Sequence, residues 1–188
     1  MGYDLHLDPA EHVYSHARAL HQHPGFELIA GVDPSVQQQE RFAKVFDVPV
    51  YADVPTALAR HQPELVVIAV PTPFHGRTVQ CVLEQSAPRA ILCEKPLSYE
   101  LSEGREMVDV CAANAVELYV NYMRRSDPGV IEIRRRIVSG EFRQPIKGVV
   151  WYSKGLIHSG SHFVNLLEYW LGPFRNSVIL DRGRLWQG

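Results

Sequence analysis

Short apolar runs alternate with helical patterns along the first two thirds of the chain. Residues 65–70 are six consecutive apolar residues, a pattern typical of a strand buried on both faces, and Ala90–Cys93 has the same character. The predicted strands in this part are 26–32, 48–51, 65–70, 90–93 and 118–120, and the predicted helices are 9–22, 35–46, 54–60, 75–85 and 98–114. Strand and helix in this repeated order predict an α/β fold, a doubly wound parallel sheet with helices on both faces.

The start of the chain departs from this alternation. Asp8 and Pro9, followed by Glu11, form a helix-start pattern, so we expect a helix from Pro9 to about Gln22. Only seven residues precede Asp8, and a dinucleotide-binding fold begins with a strand and a glycine-rich turn. The sequence therefore predicts a Rossmann-type sheet that lacks its first strand, with Gly2 as the remaining candidate glycine. A start site further upstream would supply that strand.

The pattern changes after about residue 125. Asp127 followed by Pro128 predicts a helix start, and Gly140 predicts its end. A strand at 146–153, a helix at 161–171 and a strand at 178–186 follow, the helix being stopped by Gly172. We therefore expect a dinucleotide-binding domain over 1–125 and the beginning of an α+β substrate domain over 126–188.

Composition narrows the class of protein. The 188 residues are 46% hydrophobic and 21% charged with a net charge of −2, which is typical of a globular protein and gives no general attraction to nucleic acid or anionic membrane. No apolar run approaches the ~18–20 residues of a membrane span, and the first residues lack a signal-peptide pattern. Cys81, Cys93 and Cys111 lie in apolar stretches, which favours reduced thiols and a cytoplasmic location.

Polar residues follow the predicted strands. Ligands of doubly wound sheets bind beyond the carboxyl ends of the strands, which here are at Asp33, 71–75, 94–96 and 121–125. A carboxylate at Asp33 would accept hydrogen bonds from the adenosine ribose and repel a 2′-phosphate, so it favours NAD over NADP. The alternative is that Asp33 only caps the helix that follows.

Four motifs carry a family resemblance. They are Cys93-Glu94-Lys95-Pro96-Leu97-Ser98, Ile68-Ala69-Val70-Pro71-Thr72-Pro73-Phe74-His75, Asn121-Tyr122-Met123-Arg124-Arg125 and Gly160-Ser161-His162. In this order, and at these strand ends, they resemble the Gfo/Idh/MocA family of oxidoreductases. The resemblance extends over nearly the whole chain, and members of that family have sequence both before and after the region covered here.

The resemblance implies an NAD-dependent oxidoreductase that transfers a hydride between nicotinamide and a hydroxyl or carbonyl of a sugar or sugar derivative, including substrates of polysaccharide or nucleotide-sugar biosynthesis. It implies catalytic roles for Lys95 and His162, and we add His158 as a third catalytic candidate. The implied cofactor-binding residues are Gly2, Asp33, Pro71, Thr72, His75, Glu94, Lys95 and Asn121, and the implied substrate-binding residues are Lys95, Arg124, His158, His162 and Asn165. Expected partners are a small-molecule sugar or nucleotide sugar and, in the full-length protein, further copies of the chain, with no nucleic acid or membrane.

Two positions depart from the family pattern, which places aspartates where His158 and Asn165 stand. The replacements either set the choice of substrate or disturb the usual acid–base arrangement. The alternatives to an enzyme are therefore a non-catalytic relative that binds nucleotide or a partner protein, and an inactive fragment. His158 and His162 are four residues apart, as are His12 and His16, but no third ligand is evident and we expect no metal site.

Overall fold

The structure, a computed structural model, describes Asp4 and residues 6–178. These residues fall into two compact units, within Met1–Asn121 and Tyr122–Gly188. Gly2 and nearly all of the strand predicted at 178–186 lie outside the described residues. No helix of the described part is long and apolar enough to cross a membrane.

The first unit alternates parallel strands with helices, as predicted. Its strands are β1 (Gly31–Val32), β2 (Val50–Tyr51), β3 (Leu65–Ile68), β4 (Ala90–Cys93) and β5 (Glu117–Val120). Its helices are α1 (His16–Gln22), α2 (Val36–Phe46), α3 (Val54–Leu58), α4 (His75–Gln85) and α5 (Leu101–Ala113). β1 pairs with β2, and β3, β4 and β5 form a second parallel sheet in that order. Within the described residues no strand joins β1 to β3, which agrees with the prediction of an α/β Rossmann-type fold without its first strand.

The core of the first unit lies around β4, the middle strand of the three-stranded sheet. Ile91 and Cys93 on β4 are 0% exposed, as are Val79 and Val82 on α4. Cys111 on α5 packs into the same cluster. Because β4 is paired on both edges and covered by helices, its apolar run is buried as the sequence pattern indicated. This packing fixes the ends of three strands at one edge of the sheet.

The first helix begins at His16, so the prediction of a helix from Pro9 is wrong. Asp8 caps only an isolated turn, in which its Oδ1 accepts a hydrogen bond from the Ala10 N–H at 2.8 Å. The N–H groups of Tyr14 and Ser15 donate to Oδ2 of Asp4, each at 2.8 Å, instead of to helical carbonyls. Asp4 is buried beside Arg18, which donates to the Asp4 carbonyl oxygen at 2.7 Å. Asp4, which lies 10 and 11 residues before Tyr14 and Ser15, therefore takes the place of helical carbonyls for their N–H groups, and the helix begins only at His16.

Two further boundaries in the first unit differ from prediction. Of residues 26–32 only Gly31–Val32 pair with another strand, because β2 alone adjoins them in the described part of the chain. Ser98 does not cap α5, whose N-cap is Glu100. Ser98 instead makes a turn, accepting a hydrogen bond from the Glu100 N–H at 2.9 Å and donating one to the Glu103 carboxylate.

The second unit is built on α6 (Pro128–Val138) and α7 (Ser161–Leu171). The predicted start of α6 is confirmed, since the Asp127 carboxylate accepts from the Gly129 N–H at 2.8 Å. The helices are joined by the Trp170 indole N–H, which donates to the Val130 carbonyl at 3.0 Å. The strand predicted at 146–153 is wrong for the described residues: this segment pairs with no strand there, and Trp151 is 87% exposed. A strand requires a hydrogen-bonded neighbour that the apolar pattern alone does not provide.

Candidate functional site

The carboxyl ends of β3, β4 and β5 bring polar residues to one edge of the sheet. The backbone hydrogen bonds between neighbouring strands continue beyond the strand ends. The Glu94 N–H donates to the Ile68 carbonyl oxygen at 2.9 Å, and the Asn121 N–H donates to the Cys93 carbonyl oxygen at 2.8 Å. Glu94 and Asn121 are consequently neighbours although 27 residues separate them. This is the edge at which doubly wound sheets bind their ligands.

Three donors converge on the Glu94 carboxylate. Oε1 accepts from His16 Nε2 at 2.8 Å and from Asn121 Nδ2 at 2.7 Å, while Oε2 accepts from the Lys95 N–H at 3.1 Å. We call Glu94, His16, Asn121 and the Lys95 N–H the Glu94 cluster. It joins the start of α1 to the ends of β4 and β5.

The charge state of Glu94 follows from these contacts. Partial burial alone would raise the pKa of its carboxyl, but the hydrogen bonds from His16, Asn121 and the Lys95 N–H outweigh burial and lower this pKa to about 2. Glu94 is therefore ionised at neutral pH and is a hydrogen-bond acceptor only. Such a group orients its neighbours and does not exchange protons in a reaction at neutral pH.

Lys95 follows Glu94 at the same edge and is half-buried. Its N–H donates to Glu94 Oε2, which fixes the main chain at the turn after β4 and the direction of the Lys95 Cα–Cβ bond. The side chain therefore leaves the main chain at the strand ends, where its ammonium is a candidate hydrogen-bond donor to a ligand.

The segment after β3 forms a short turn before α4. Thr72 begins a 3₁₀ turn, Thr72–Phe74, with Pro71 exposed before it. His75, expected to contact the cofactor, is only 1% exposed, and its Nδ1 and Nε2 lie 3.0 Å from the Leu97 oxygen and 2.9 Å from the Val70 oxygen. Both ring nitrogens face backbone carbonyl oxygens of the loops after β3 and β4, and the role of His75 in cofactor binding stays a prediction.

Asp33 stands at the end of β1 as predicted. Its N–H donates to Tyr51 at 2.9 Å, and its Oδ1 accepts from the Ser35 N–H at 2.9 Å, just before α2. The second contact closes the turn that leads into α2; the N-cap of that helix is Ser35, so Asp33 supports the helix start without capping it. The two roles are compatible, because a carboxylate accepts several hydrogen bonds.

In the second unit, His162 lies in the first turn of α7 and is half-buried. The Tyr122 ring contacts it edge-on, with centroids 5.8 Å apart and planes at 90°. His158 is exposed in a π-helical turn, Leu156–Gly160, that leads into α7. A Cβ at Gly160 would come within 2.9 Å of the Tyr152 and Leu156 side chains, which would then have to move. Single π-turns are frequent at functional sites.

Arg125 holds Asn165 in place. Its Nε donates to Asn165 Oδ1 at 2.6 Å, and its guanidinium lies 5.2 Å from the Tyr169 ring centroid. Arg124 lies 5.2 Å from the Phe163 ring centroid. The predicted substrate-side residues of this unit, Arg124, His158, His162 and Asn165, therefore lie on or beside α7 and the turn that leads into it.

Sequence reasoning missed His16 as a site residue. It was considered only as a metal ligand with His12, whereas its ring bonds Glu94. Its position in the first turn of a helix following the expected dinucleotide loop was the available signal. Among the described residues no group of three or more His, Cys, Asp or Glu side chains is arranged to hold a metal ion.

The polar groups at the carboxyl ends of the strands fit a dinucleotide. Asp33 offers a carboxylate acceptor at the end of β1, while Thr72, Lys95 and Asn121 place a hydroxyl, an ammonium and an amide at the ends of β3, β4 and β5. Acceptors for ribose hydroxyls and donors for phosphate, carboxamide or reacting oxygen are the groups that such a ligand requires.

Comparisons with known proteins agree with this fold. Residues 12–122 match the model of an oxidoreductase family with an NAD-binding Rossmann fold. The chain is 36% identical over 126 residues to inositol 2-dehydrogenase of Mycolicibacterium smegmatis, covering 63% of this chain and 36% of that protein. It is 28% identical over 186 residues to scyllo-inositol 2-dehydrogenase (NAD(+)) of Bacillus subtilis, covering 88% and 52%.

A solved structure shows the same fold. An oxidoreductase from Agrobacterium radiobacter, in complex with NAD+, L-tartaric acid and magnesium, superposes with a TM-score of 0.74 at 18% identity, over 83% of this chain and 50% of that one. The chain thus spans about half the length, or less, of the proteins it matches. With the matched family model, the motifs and the parallel sheet in agreement, the chain belongs to the Gfo/Idh/MocA family of oxidoreductases.

Proposed function

We propose that this protein is an NAD-dependent oxidoreductase that transfers a hydride between nicotinamide and a hydroxyl or carbonyl of a sugar or sugar derivative. The observation that carries the proposal is the fixed Glu94–Lys95 turn at the ligand-binding edge of a Rossmann domain. The named dehydrogenase relatives act on inositol, a cyclic polyol, which supports a polyhydroxylated substrate.

Each proposed role follows from the chemistry of a side chain. The bound NAD supplies the hydride acceptor. The Lys95 ammonium donates a hydrogen bond to the reacting oxygen and aligns the carbinol, and the His162 imidazole accepts the hydroxyl proton as the carbonyl forms. Asp33 accepts hydrogen bonds from the adenosine ribose, and its charge disfavours a 2′-phosphate. The assignment of these roles rests on the matching motifs in each unit.

The distribution of charge supports a finer proposal about the substrate. Residues 122–178 contain nine Lys and Arg against four Asp and Glu, whereas residues 1–121 contain eight against sixteen. Histidine and asparagine at His158 and Asn165 add no negative charge near α7. A basic substrate unit favours a sugar that carries a negative charge, such as a nucleotide sugar, over a neutral polyol.

The test is a substrate panel measured by NADH fluorescence. It compares two neutral compounds, myo-inositol and glucose, with three anionic ones, glucuronate, glucose 6-phosphate and UDP-glucose. Glucuronate is the anionic compound nearest to glucose in size. We expect NAD-dependent turnover with at least one compound and a higher kcat/KM for the anionic members. Turnover of neutral compounds alone would overturn the finer proposal. NAD binding without turnover of any member would favour the non-catalytic alternative.

A further inference from the structure

We propose that His16 is a positioning residue that acts through Glu94 on the Lys95 turn. This inference rests on the proposed function only for the consequence in catalysis, because the contact itself is a property of the chain. His16 lies 78 residues before Glu94, and their 2.8 Å hydrogen bond ties the N-terminal segment to the sheet edge.

Helix α1, which carries His16, is anchored through Arg18. Arg18 is 3% exposed and donates to the Asp4 carbonyl oxygen at 2.7 Å and the Leu7 carbonyl oxygen at 3.3 Å. Two residues along an α-helix turn through about 200°, so Arg18 and His16 leave α1 on opposite faces. The Asp4–Arg18 pair therefore anchors one face of α1, and His16 on the opposite face contacts Glu94.

The two hydrogen bonds from His16 and Asn121 to one oxygen of Glu94 fix the orientation of its carboxylate. Both donate to the same oxygen of Glu94, which leaves the other oxygen for the Lys95 N–H. Without His16 the Glu94 carboxylate would keep its hydrogen bond from Asn121 but would lose its contact with α1. The carboxylate could then rotate away from the Lys95 N–H. A shift of about 1 Å in the Lys95 ammonium is enough to lower turnover substantially.

The other ionisable groups near this segment do not substitute for His16. His12 lies four residues earlier, but its Nδ1 contacts the Tyr14 hydroxyl at 3.0 Å and its Nε2 is 3.9 Å from Glu11. Within the described residues its side chain contacts Tyr14 and Glu11 and is partly buried in the segment between the first turn and α1. His12→Ala is therefore the matched control for His16→Ala.

The first test needs neither cofactor nor substrate. The backbone amide of Lys95 is followed by ¹H–¹⁵N NMR in the wild-type chain, His16→Ala, His16→Gln and His12→Ala, each checked for folding by circular dichroism. We expect the Lys95 amide resonance to move in His16→Ala, to return toward its original position in His16→Gln, whose amide can donate to Glu94, and to be unchanged in His12→Ala. An unchanged Lys95 amide in folded His16→Ala would overturn the proposal.

The second test separates positioning from folding and binding. With a confirmed substrate, we expect His16→Ala to lower kcat about tenfold, with the KM for NAD nearly unchanged and partial recovery in His16→Gln. Equal kcat in wild type and His16→Ala would also overturn the proposal. If the wild type turns over no substrate, the proposed function fails, whereas the NMR result still decides whether His16 positions the Lys95 turn.

Discussion

The two units hold their candidate site residues by different means. In the first unit, Glu94 and Asn121 are placed by the backbone ladder of a parallel sheet whose middle strand is buried. In the second unit, His162 and Asn165 lie on one helix and are contacted by the Tyr122 and Arg125 side chains. The buried residues described there are Gly160 and Leu166 alone. A sheet edge fixes its site residues through register, whereas a helix pair relies on individual side-chain contacts.

The largest contrast should appear in stability. Ile91→Ala in β4 should lower the free energy of unfolding by about 2–5 kcal/mol, because it opens a cavity in a fully buried cluster. Leu166→Ala in α7 should cost less, since fewer buried neighbours surround it. Urea unfolding followed by circular dichroism and by tryptophan fluorescence compares the two. An equal or greater loss for Leu166→Ala would remove the contrast between the units.

The next effect concerns turnover at the sheet edge. Lys95→Met removes a charged donor at nearly constant volume, and we expect kcat to fall by roughly 10²-fold or more, the usual cost of losing one positioned donor. NAD affinity, measured by calorimetry, should change less. Arg105→Met, at an exposed position of α5, is a matched control that should leave kcat unchanged. Near-normal turnover of Lys95→Met on a confirmed substrate would refute the role given to Lys95.

A smaller effect should depend on pH. The pKa of Glu94 is lowered from 4.5 to about 2 by its hydrogen bonds, so its ionised form stabilises the folded chain above about pH 4.5. That contribution, about 2 kcal/mol after allowance for solvent screening, should be lost as the pH falls from 4.5 toward 2. Unfolding of wild type and Glu94→Gln at several pH values measures it. A stability difference that is independent of pH would contradict the assignment.

The smallest effect should come from the exposed segment of the second unit. Trp151 is 87% exposed and Val149 is 77% exposed, so neither contributes much burial in the described structure. Trp151→Ser should change the free energy of unfolding by no more than about 0.5 kcal/mol. Chemical denaturation of this variant beside Ile91→Ala makes the comparison direct. A large loss for Trp151→Ser would show that this segment is covered in solution.

The sequence by itself determined the α/β alternation, because apolar runs such as 65–70 are buried on both faces wherever they are placed in a parallel sheet. It also located Glu94, Lys95 and Asn121 at strand ends, since the residues after a buried run must leave the sheet at its carboxyl edge. Local patterns also predicted the starts of α4, α6 and α7 correctly.

Only the tertiary structure decided which side chains meet. The hydrogen bonds of Asp4 with the Tyr14 and Ser15 N–H groups delay the first helix start to His16. Residues 146–153 pair with no strand in the described part of the chain. Both outcomes depend on groups distant in sequence. The burial of His75 and the bond between His16 and Glu94 have the same origin. Hydrophobic periodicity reports which face of an element is buried, but it does not report which distant donor will reach a carboxylate, because that depends on how the elements pack.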